Sequence, residues 1–255
     1  PYVNVPTTLM AQIDAAIGGK VAVNHRRGKN LLGSFYSPLG VLVDPVYLRT
    51  LPDDEIRNGV AEIIKVAIIH SPTLFSLLES STCATFTRPS DVATLLHIME
   101  LAIGSKLRLL QPDPYESDLR RPLNFGHTFG HPIEAASEYR IKHGYAVAIG
   151  MALATEVSLA RGLLDQHTAD RIIHLITRFG LPTAGPDFDP EWLWHHYVDI
   201  IRRVRAQKLH FVLPSGIGTV EIVDDIEQRE FVAAYQRTRL SYTPFSPDDV
   251  VCNWA

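Results

Sequence analysis

The chain has 255 residues, enough for one large domain or two small ones, and 46% of them are hydrophobic, which excludes a disordered or collagen-like chain. Lys and Arg total 24 against 28 Asp and Glu, a formal charge of −4, so a polybasic nucleic-acid binder is excluded as well. No apolar run approaches the ~18 residues of a membrane span, and two cysteines, Cys83 and Cys252, are too few for a disulfide-stapled secreted fold and fit a reducing cytoplasm.

Pro1-Tyr2-Val3-Asn4-Val5 reads as a strand with no leader before it, so the chain is expected to begin inside a domain. Gly40–Val43 reads as another strand. Gly18-Gly19, Gly28 and Gly33 are expected at tight turns, or where a ligand approaches the main chain. After Leu51-Pro52 the texture becomes helical. Asp53-Asp54-Glu55 puts acids in a first turn, and apolar residues recur at Ile56, Val60, Ile63, Ile64 and Ala67. A second helix is expected from Ser90-Asp91 to about Leu110, stopped by Pro112 and Pro114. Further helices are expected at 127–138, 145–162, 165–179, 190–204 and 227–238, with a hairpin of Leu209–Leu213 and Thr219–Val223. The polar stretch from about Ser241 reads as a loose tail. The expected division is an α/β segment at 1–52, a mostly α-helical domain at 53–240 and a tail at 241–255.

His127 and His131 in Asn124-Phe125-Gly126-His127-Thr128-Phe129-Gly130-His131 are four apart and share a helix face. His143 follows in Lys142-His143-Gly144. Upstream, Glu62 and Lys65 are three apart on the first helix. One carboxylate and two imidazoles would make an open three-ligand metal site, with His131 or Lys65 left for proton transfer. Each signal alone has an ordinary explanation. An i,i+4 histidine pair is commonly surface or core, and a Glu–Lys pair is commonly a solvated ion pair worth ~0.3 kcal/mol. Gly18-Gly19-Lys20 lacks the full phosphate-loop spacing. Lys106 and Arg120-Arg121 would by default be solvated charges.

Taken together these elements resemble the sugar-phosphate cyclases, and among them 3-dehydroquinate synthase. The resemblance is carried by Val5–Asp14, Ile17–His25, Gly28–Gly33, Phe35-Tyr36, Leu51-Pro52, Gly59–Lys65, Leu123–His131, His143-Gly144 and Ala146–Met151, in order, over about residues 1–225. It implies the C-terminal part of a Rossmann-like NAD-binding domain, then a helical metal domain. It assigns Glu62, His127 and His143 to Zn2+ (with Co2+ as an alternative), and Lys20, Asn30, Lys65, Asn124 and His131 to the substrate pocket. Asp14 falls near the substrate hydroxyls and the nicotinamide. Lys106 and Arg120 fall where a substrate carboxylate is gripped, and Arg203, if it points inward, would join Lys20 at the phosphate. Thr7, Thr8, Lys29, Thr50 and Leu51 match positions that touch NAD. His131, Lys65 and Asp14 are the expected catalytic groups.

The implied reaction oxidises a secondary alcohol, eliminates phosphate, reduces the ketone again and closes a carbocycle by an intramolecular aldol step, so NAD is recycled. Retention of Lys106 and Arg120 puts the carboxylated substrate 3-deoxy-arabino-heptulosonate 7-phosphate (DAHP) first. A cyclase of sedoheptulose 7-phosphate, making a valiolone-type cyclitol, is the rival, and Gln111–Glu116 favours it. A metal-dependent alcohol dehydrogenase and an inactive homologue are further alternatives. Three departures stand out. The region that carries the family's pyrophosphate loop is not among these 255 residues and is expected ahead of Pro1. His143-Gly144-Tyr145 replaces the usual His-Gly-Glu, which removes a carboxylate beside a metal ligand. Ile201-Arg202-Arg203 replaces a lysine pair. The expected partner is a small sugar phosphate, with no nucleic acid or membrane, in a cytoplasmic homodimer.

Overall fold

The computed structural model describes residues 1–25, 28–87, 92–115, 117–118, 120–199 and 209–241, and the side chains among them except those of 24, 25, 28–31 and 87. Arg203 and all of the expected tail after Ser241 lie outside the described residues.

Strand β1 (Val3–Asn4) pairs in parallel with β4 (Gly40–Val41), as the apolar runs at both places suggested. Between them, β2 (Lys20–His25) and β3 (Gly28–Phe35) form an antiparallel hairpin, with Lys20 opposite Phe35. Gly18 sits at φ +114° and makes the expected turn. Gly28 opens β3 directly opposite His25, at the end of the two-residue connection between the strands, and Gly33 lies inside β3, away from a turn. The close approach at Gly33 is to the neighbouring strand, since a Cβ there would stand 2.6 Å from that of Ala22. A single π-helical turn (Ala11–Ala15) and a 3-10 helix (Pro45–Thr50) complete this part. Gln12 ties the two together, its Nε2 donating to the carbonyls of Pro6 (3.1 Å) and Asp44 (2.7 Å).

Helix α1 spans Asp53–His70, with its three acids in the first turn. From Gly59 to Ile69 every residue is buried, including Glu62 and Lys65. The expectation of a solvated ion pair fails because α1 is not a surface helix with one wet face. Two short helices escaped the sequence reading. Helix α2 (Pro72–Glu79) starts where the Ser71 hydroxyl accepts from the Leu74 amide at 3.2 Å, and α3 (Ala84–Thr87) is a single turn. Helix α4 covers Val92–Leu110, and a 3-10 turn at Pro122–Asn124 leads into α5 (His127–Ala136).

Helix α6 (His143–Ala160) is apolar on all sides and runs through the core. Around it pack α1, α5, α7 (Gln166–Arg178), β5 (Phe211–Gly216) and α9 (Gln228–Ser241). The expected helix at 190–204 starts as α8 (Pro190–Leu193) and continues as a π-helical turn over Trp194–Val198, and its last residues, 200–204, lie outside the described residues. Strand β6 (Thr219–Val223) closes the expected hairpin with β5.

Small residues set how closely the site-bearing helices approach. A Cβ on Gly144 would lie 2.1 Å from the Asn58 carbonyl oxygen of α1, and one on Gly150 would lie 1.9 Å from that of Gly126, just before α5. Asn58 Oδ1 also accepts from the Gly144 amide at 2.7 Å. Lys142 adds a clamp to Asp54 and, at 2.6 Å, to Glu55. The N-terminus of α6, which carries His143, is thereby fixed against the face of α1 that carries Glu62.

Candidate metal and substrate site

Three segments distant in sequence meet between α1, α5 and α6. Glu62 Oε1 lies 3.5 Å from His143 Nε2 and 3.7 Å from His127 Nε2. Ligand atoms of all three residues lie within 4.8 Å of one another. A tetrahedral zinc ion with bonds of about 2.1 Å holds its donors about 3.4 Å apart. The two measured separations fall close to that value, and one oxygen with two nitrogens is a fitting donor set for catalytic zinc.

Glu62 supplies an independent test of fit. Its side chain is 1% exposed. Neither carboxylate oxygen accepts a hydrogen bond, although Lys65 forms an ion pair with Oε2. Burial alone would raise its pKa. Lys65 and the two imidazoles outweigh burial and hold it well below the usual carboxylate range. A buried anion with Oε1 facing two imidazole nitrogens is what a divalent cation would complete.

The two histidines are prepared differently. Burial and the nearby Lys65 ammonium hold His127 well below the ordinary imidazole value, so it is neutral. Its Nδ1 stands 3.0 Å from the Phe125 carbonyl, the placement of a donor, which leaves the Nε2 lone pair facing Glu62. His143 is also buried, but Glu134 and Glu62 push it up to about 9.

Other expected site residues cluster to different degrees. The exposed His131 ring sits at the rim, its centroid 5.1 Å from that of His127 and 5.8 Å from that of His143. Lys65 is buried beside Glu62. Asn124 ends the turn that positions Phe125. A second group forms where Asp14 receives Lys106, with Nζ to Oδ1 at 2.6 Å and a further bond to the Asp14 carbonyl. The default reading of Lys106 as a solvated charge is thus corrected: it is 9% exposed and reaches back to the π-helical turn.

Arg120 stands apart, on an exposed loop, gripped by Asp118 at 3.1 Å. With Arg108, Asp113, Asp118 and Arg121 it lines a groove of about 520 Å³. Lys20 is exposed on β2. The Thr8 hydroxyl accepts from the Ala11 amide at 3.2 Å, and the Thr50 hydroxyl donates to the Tyr47 carbonyl at 3.4 Å. Thr7 is exposed and Leu51 packs on the core. Lys29 and Asn30 lie in β3, with their side chains outside the described set, as is Arg203.

Sequence reasoning missed Glu134. It is 3% exposed, and its Oε2 lies 3.6 Å from His143 Nδ1. Its spacing, seven after His127 and three after His131, places it on the same helix face and was the available signal. Tyr145, expected to leave a gap beside the metal, instead turns its phenol to Arg57, whose charge acts on it. The carboxylate next to His143 comes from Glu134.

Comparison with known proteins places the whole of this stretch in one family. Residues 1–58 match the model described as 3-dehydroquinate synthase N-terminal, and residues 59–202 the one described as 3-dehydroquinate synthase C-terminal. A 2-epi-valiolone synthase of Stigmatella aurantiaca is 47% identical over 244 residues, covering 92% of this chain and 60% of the relative. A 3-dehydroquinate synthase of Synechococcus sp. (strain CC9605) is 42% identical over 240 residues, covering 93% of this chain and 64% of the relative. The chain thus spans less than two thirds of the length of these relatives. The solved structure of ValA, a 2-epi-5-epi-valiolone synthase from Streptomyces hygroscopicus subsp. jinggangensis 5008 with NAD+ and Zn2+ bound, superposes with a TM-score of 0.87 at 36% identity, over 94% of this chain and 67% of that one.

Proposed function

Because this chain belongs to the 3-dehydroquinate synthase family, we propose that it forms the greater part of a zinc- and NAD-dependent cyclase, which closes a seven-carbon sugar phosphate into a carbocycle with loss of phosphate. The observation that carries the reading is the meeting of Glu62, His127 and His143 at near-tetrahedral donor spacing around a buried, hydrogen-bond-deprived carboxylate. Residues 1–52 are read as the end of a Rossmann-like NAD-binding domain, 53–240 as the zinc and substrate domain, and 241–255 as a tail. A phosphate-eliminating lyase of this kind would work as a cytoplasmic homodimer.

When bound, zinc would act as Lewis acid and template for vicinal hydroxyls. The remaining work falls to the chain. Lys65 keeps Glu62 ionised and, at the wall of the site, can donate to a substrate oxygen. His131, at the open rim, can accept or return a proton from the substrate side. Asp14, fixed by Lys106, accepts a hydrogen bond from a ring hydroxyl at the nicotinamide end. Lys20, Asn30 and Arg203 would hold the phosphate by charge-assisted hydrogen bonds, and Asn124 a hydroxyl. Thr7, Thr8, Asp14, Lys29, Thr50 and Leu51 would line the part of the NAD site that this chain carries.

Two substrates fit the class. Sedoheptulose 7-phosphate is favoured by the acids already bound to both carboxylate-gripping cations, Asp14 on Lys106 and Asp118 on Arg120. The Gln111–Glu116 segment and the 47% identity to a 2-epi-valiolone synthase, against 42% to a 3-dehydroquinate synthase, support it too. DAHP is the second reading, on the presence of Lys106 and Arg120 themselves. The full-length protein, given each phosphate with NAD+ and Zn2+, is expected to release inorganic phosphate from sedoheptulose 7-phosphate. Release from DAHP alone would establish the second reading. Net NADH without phosphate release would make the protein a dehydrogenase, and no release from either would defeat the cyclase proposal.

A further inference from the structure

His143 has a carboxylate at each ring nitrogen. Nε2 faces Glu62 at 3.5 Å, and Nδ1 faces Glu134 at 3.6 Å. An imidazole that binds metal through Nε2 must carry its proton on Nδ1, and that proton needs an acceptor. For His127 the Phe125 carbonyl takes this part. Nothing so far assigns the corresponding group for His143.

We infer that Glu134 is the positioning residue for His143: it accepts the Nδ1 proton and so turns Nε2 toward the metal. The inference rests on the zinc reading of Glu62, His127 and His143. Two observations support it, and a consequence follows. Glu134 is 3% exposed, so its charge is not a surface accident. It projects from α5 toward the first residue of α6, and the two helices cannot slide apart freely. A Cβ on Gly130 of α5 would already stand 2.5 Å from the Ala146 carbonyl oxygen of α6. Finally, a carboxylate acceptor would make His143 a more strongly donating ligand than His127, whose acceptor is a neutral carbonyl.

A competing arrangement uses the same atoms. His131, Glu134 and His143 also offer ligand atoms within 4.8 Å of one another, so Glu134 could itself bind a second ion. Zinc stoichiometry and affinity separate the cases. The purified full-length protein is loaded with Zn2+ and titrated with a competing chelator, alongside Glu134→Gln, Glu134→Ala and Glu62→Ala. The expected result is one Zn2+ per chain in the wild type, with affinity lowered about 10- to 100-fold in Glu134→Ala and less in Glu134→Gln. Glu134→Gln keeps the side-chain shape, so it carries the test if Glu134→Ala does not fold. A second readout is the downfield Nδ1 proton resonance of His143 in the zinc form, expected to move in Glu134→Gln.

Wild-type affinity in both Glu134 variants with an unmoved resonance would overturn the inference and leave the zinc site standing. Two Zn2+ in the wild type falling to one in Glu134→Gln would also overturn it, by making Glu134 a ligand. No Zn2+ in the wild type, or full retention in Glu62→Ala, would fail the zinc reading itself.

Discussion

Lys65→Met tests whether Glu62 is built for a divalent cation. In the metal-free chain the Glu62 carboxylate is 1% exposed and its ammonium partner Lys65 is 4% exposed. Removing one partner of such a pair strands a buried charge, at a typical cost of about 3–5 kcal/mol. One compensation remains. His143, pushed up to about 9, is protonated at neutral pH and lies 3.5 Å from Glu62 Oε1. At an effective dielectric of 20 that contact is worth about 5 kcal/mol before desolvation. The low end of the range is therefore expected, about 3 kcal/mol, or a fall in melting temperature of about 6–12 °C for a chain of this size.

Zinc should reverse the loss, because it supplies the positive charge that Glu62 lost and no longer meets the Lys65 ammonium. Thermal unfolding at pH 7.5, with chelator and with excess Zn2+, gives the comparison. The zinc-induced rise is expected to be larger in Lys65→Met than in the wild type, as linkage requires when the variant's native state binds the ion more tightly. An equal rise in both proteins, or a variant as stable as the wild type in chelator, would refute the reasoning. Activity is no substitute for this measurement, since Lys65 is also proposed to donate to the substrate.

Three further outcomes are expected. Gly144→Ala would put a methyl 2.1 Å from the Asn58 carbonyl oxygen, so α6 must shift from α1; a loss of at least about 1–3 kcal/mol in urea unfolding and less than stoichiometric Zn2+ should result. Phe231→Ala, which removes a ring stacked 5.8 Å from Phe129 and tilted 5.6 Å from Trp194, should cost about 3–5 kcal/mol in the same assay. Arg161→Met concerns acid stability. Arg161 holds Glu230 and Asp225 below their ordinary carboxylate range, so its contribution of about 1 kcal/mol is present above pH 5 and lost as the pH falls through their lowered values. The variant should be less stable at pH 7, and the gap to the wild type should narrow as the pH falls below the ordinary carboxylate range, as read by urea unfolding across pH.

Helix positions were legible wherever the pattern was strong. The acids at Asp53–Glu55 and the breaks at Pro112 and Pro114 marked helices that the structure contains, and the helix expected at 145–162 is there as well, shifted to His143–Ala160. Helix α2 was missed because Pro72–Glu79 follows α1 after one residue, so the apolar pattern runs on without a loop and only the Ser71 cap marks the restart. Gly33 was misread for a different reason. A glycine needed for backbone approach looks the same in sequence whether the approaching group is a ligand or the adjacent strand, and here it is Ala22.

The same ambiguity governs the site. Spacing alone could put His127 and His131 on one face, and Glu62 and Lys65 on another, but it could not say that the faces meet. What joins them is steric: Gly144 against Asn58 and Gly150 against Gly126 are contacts that only the folded chain reveals. Burial then changes the meaning of each charge. Lys65 and Lys106, ordinary surface lysines by default, become internal partners of Glu62 and Asp14, whereas Arg120 is left on the surface with Asp118. Glu134 shows the limit most clearly. Its spacing from His127 and His131 was visible, yet a glutamate on a helix has no chemical meaning until a partner is known. The partner is on the next helix, where His143 turns its second nitrogen toward it. A side chain's role thus became readable only when the element opposite it was in place.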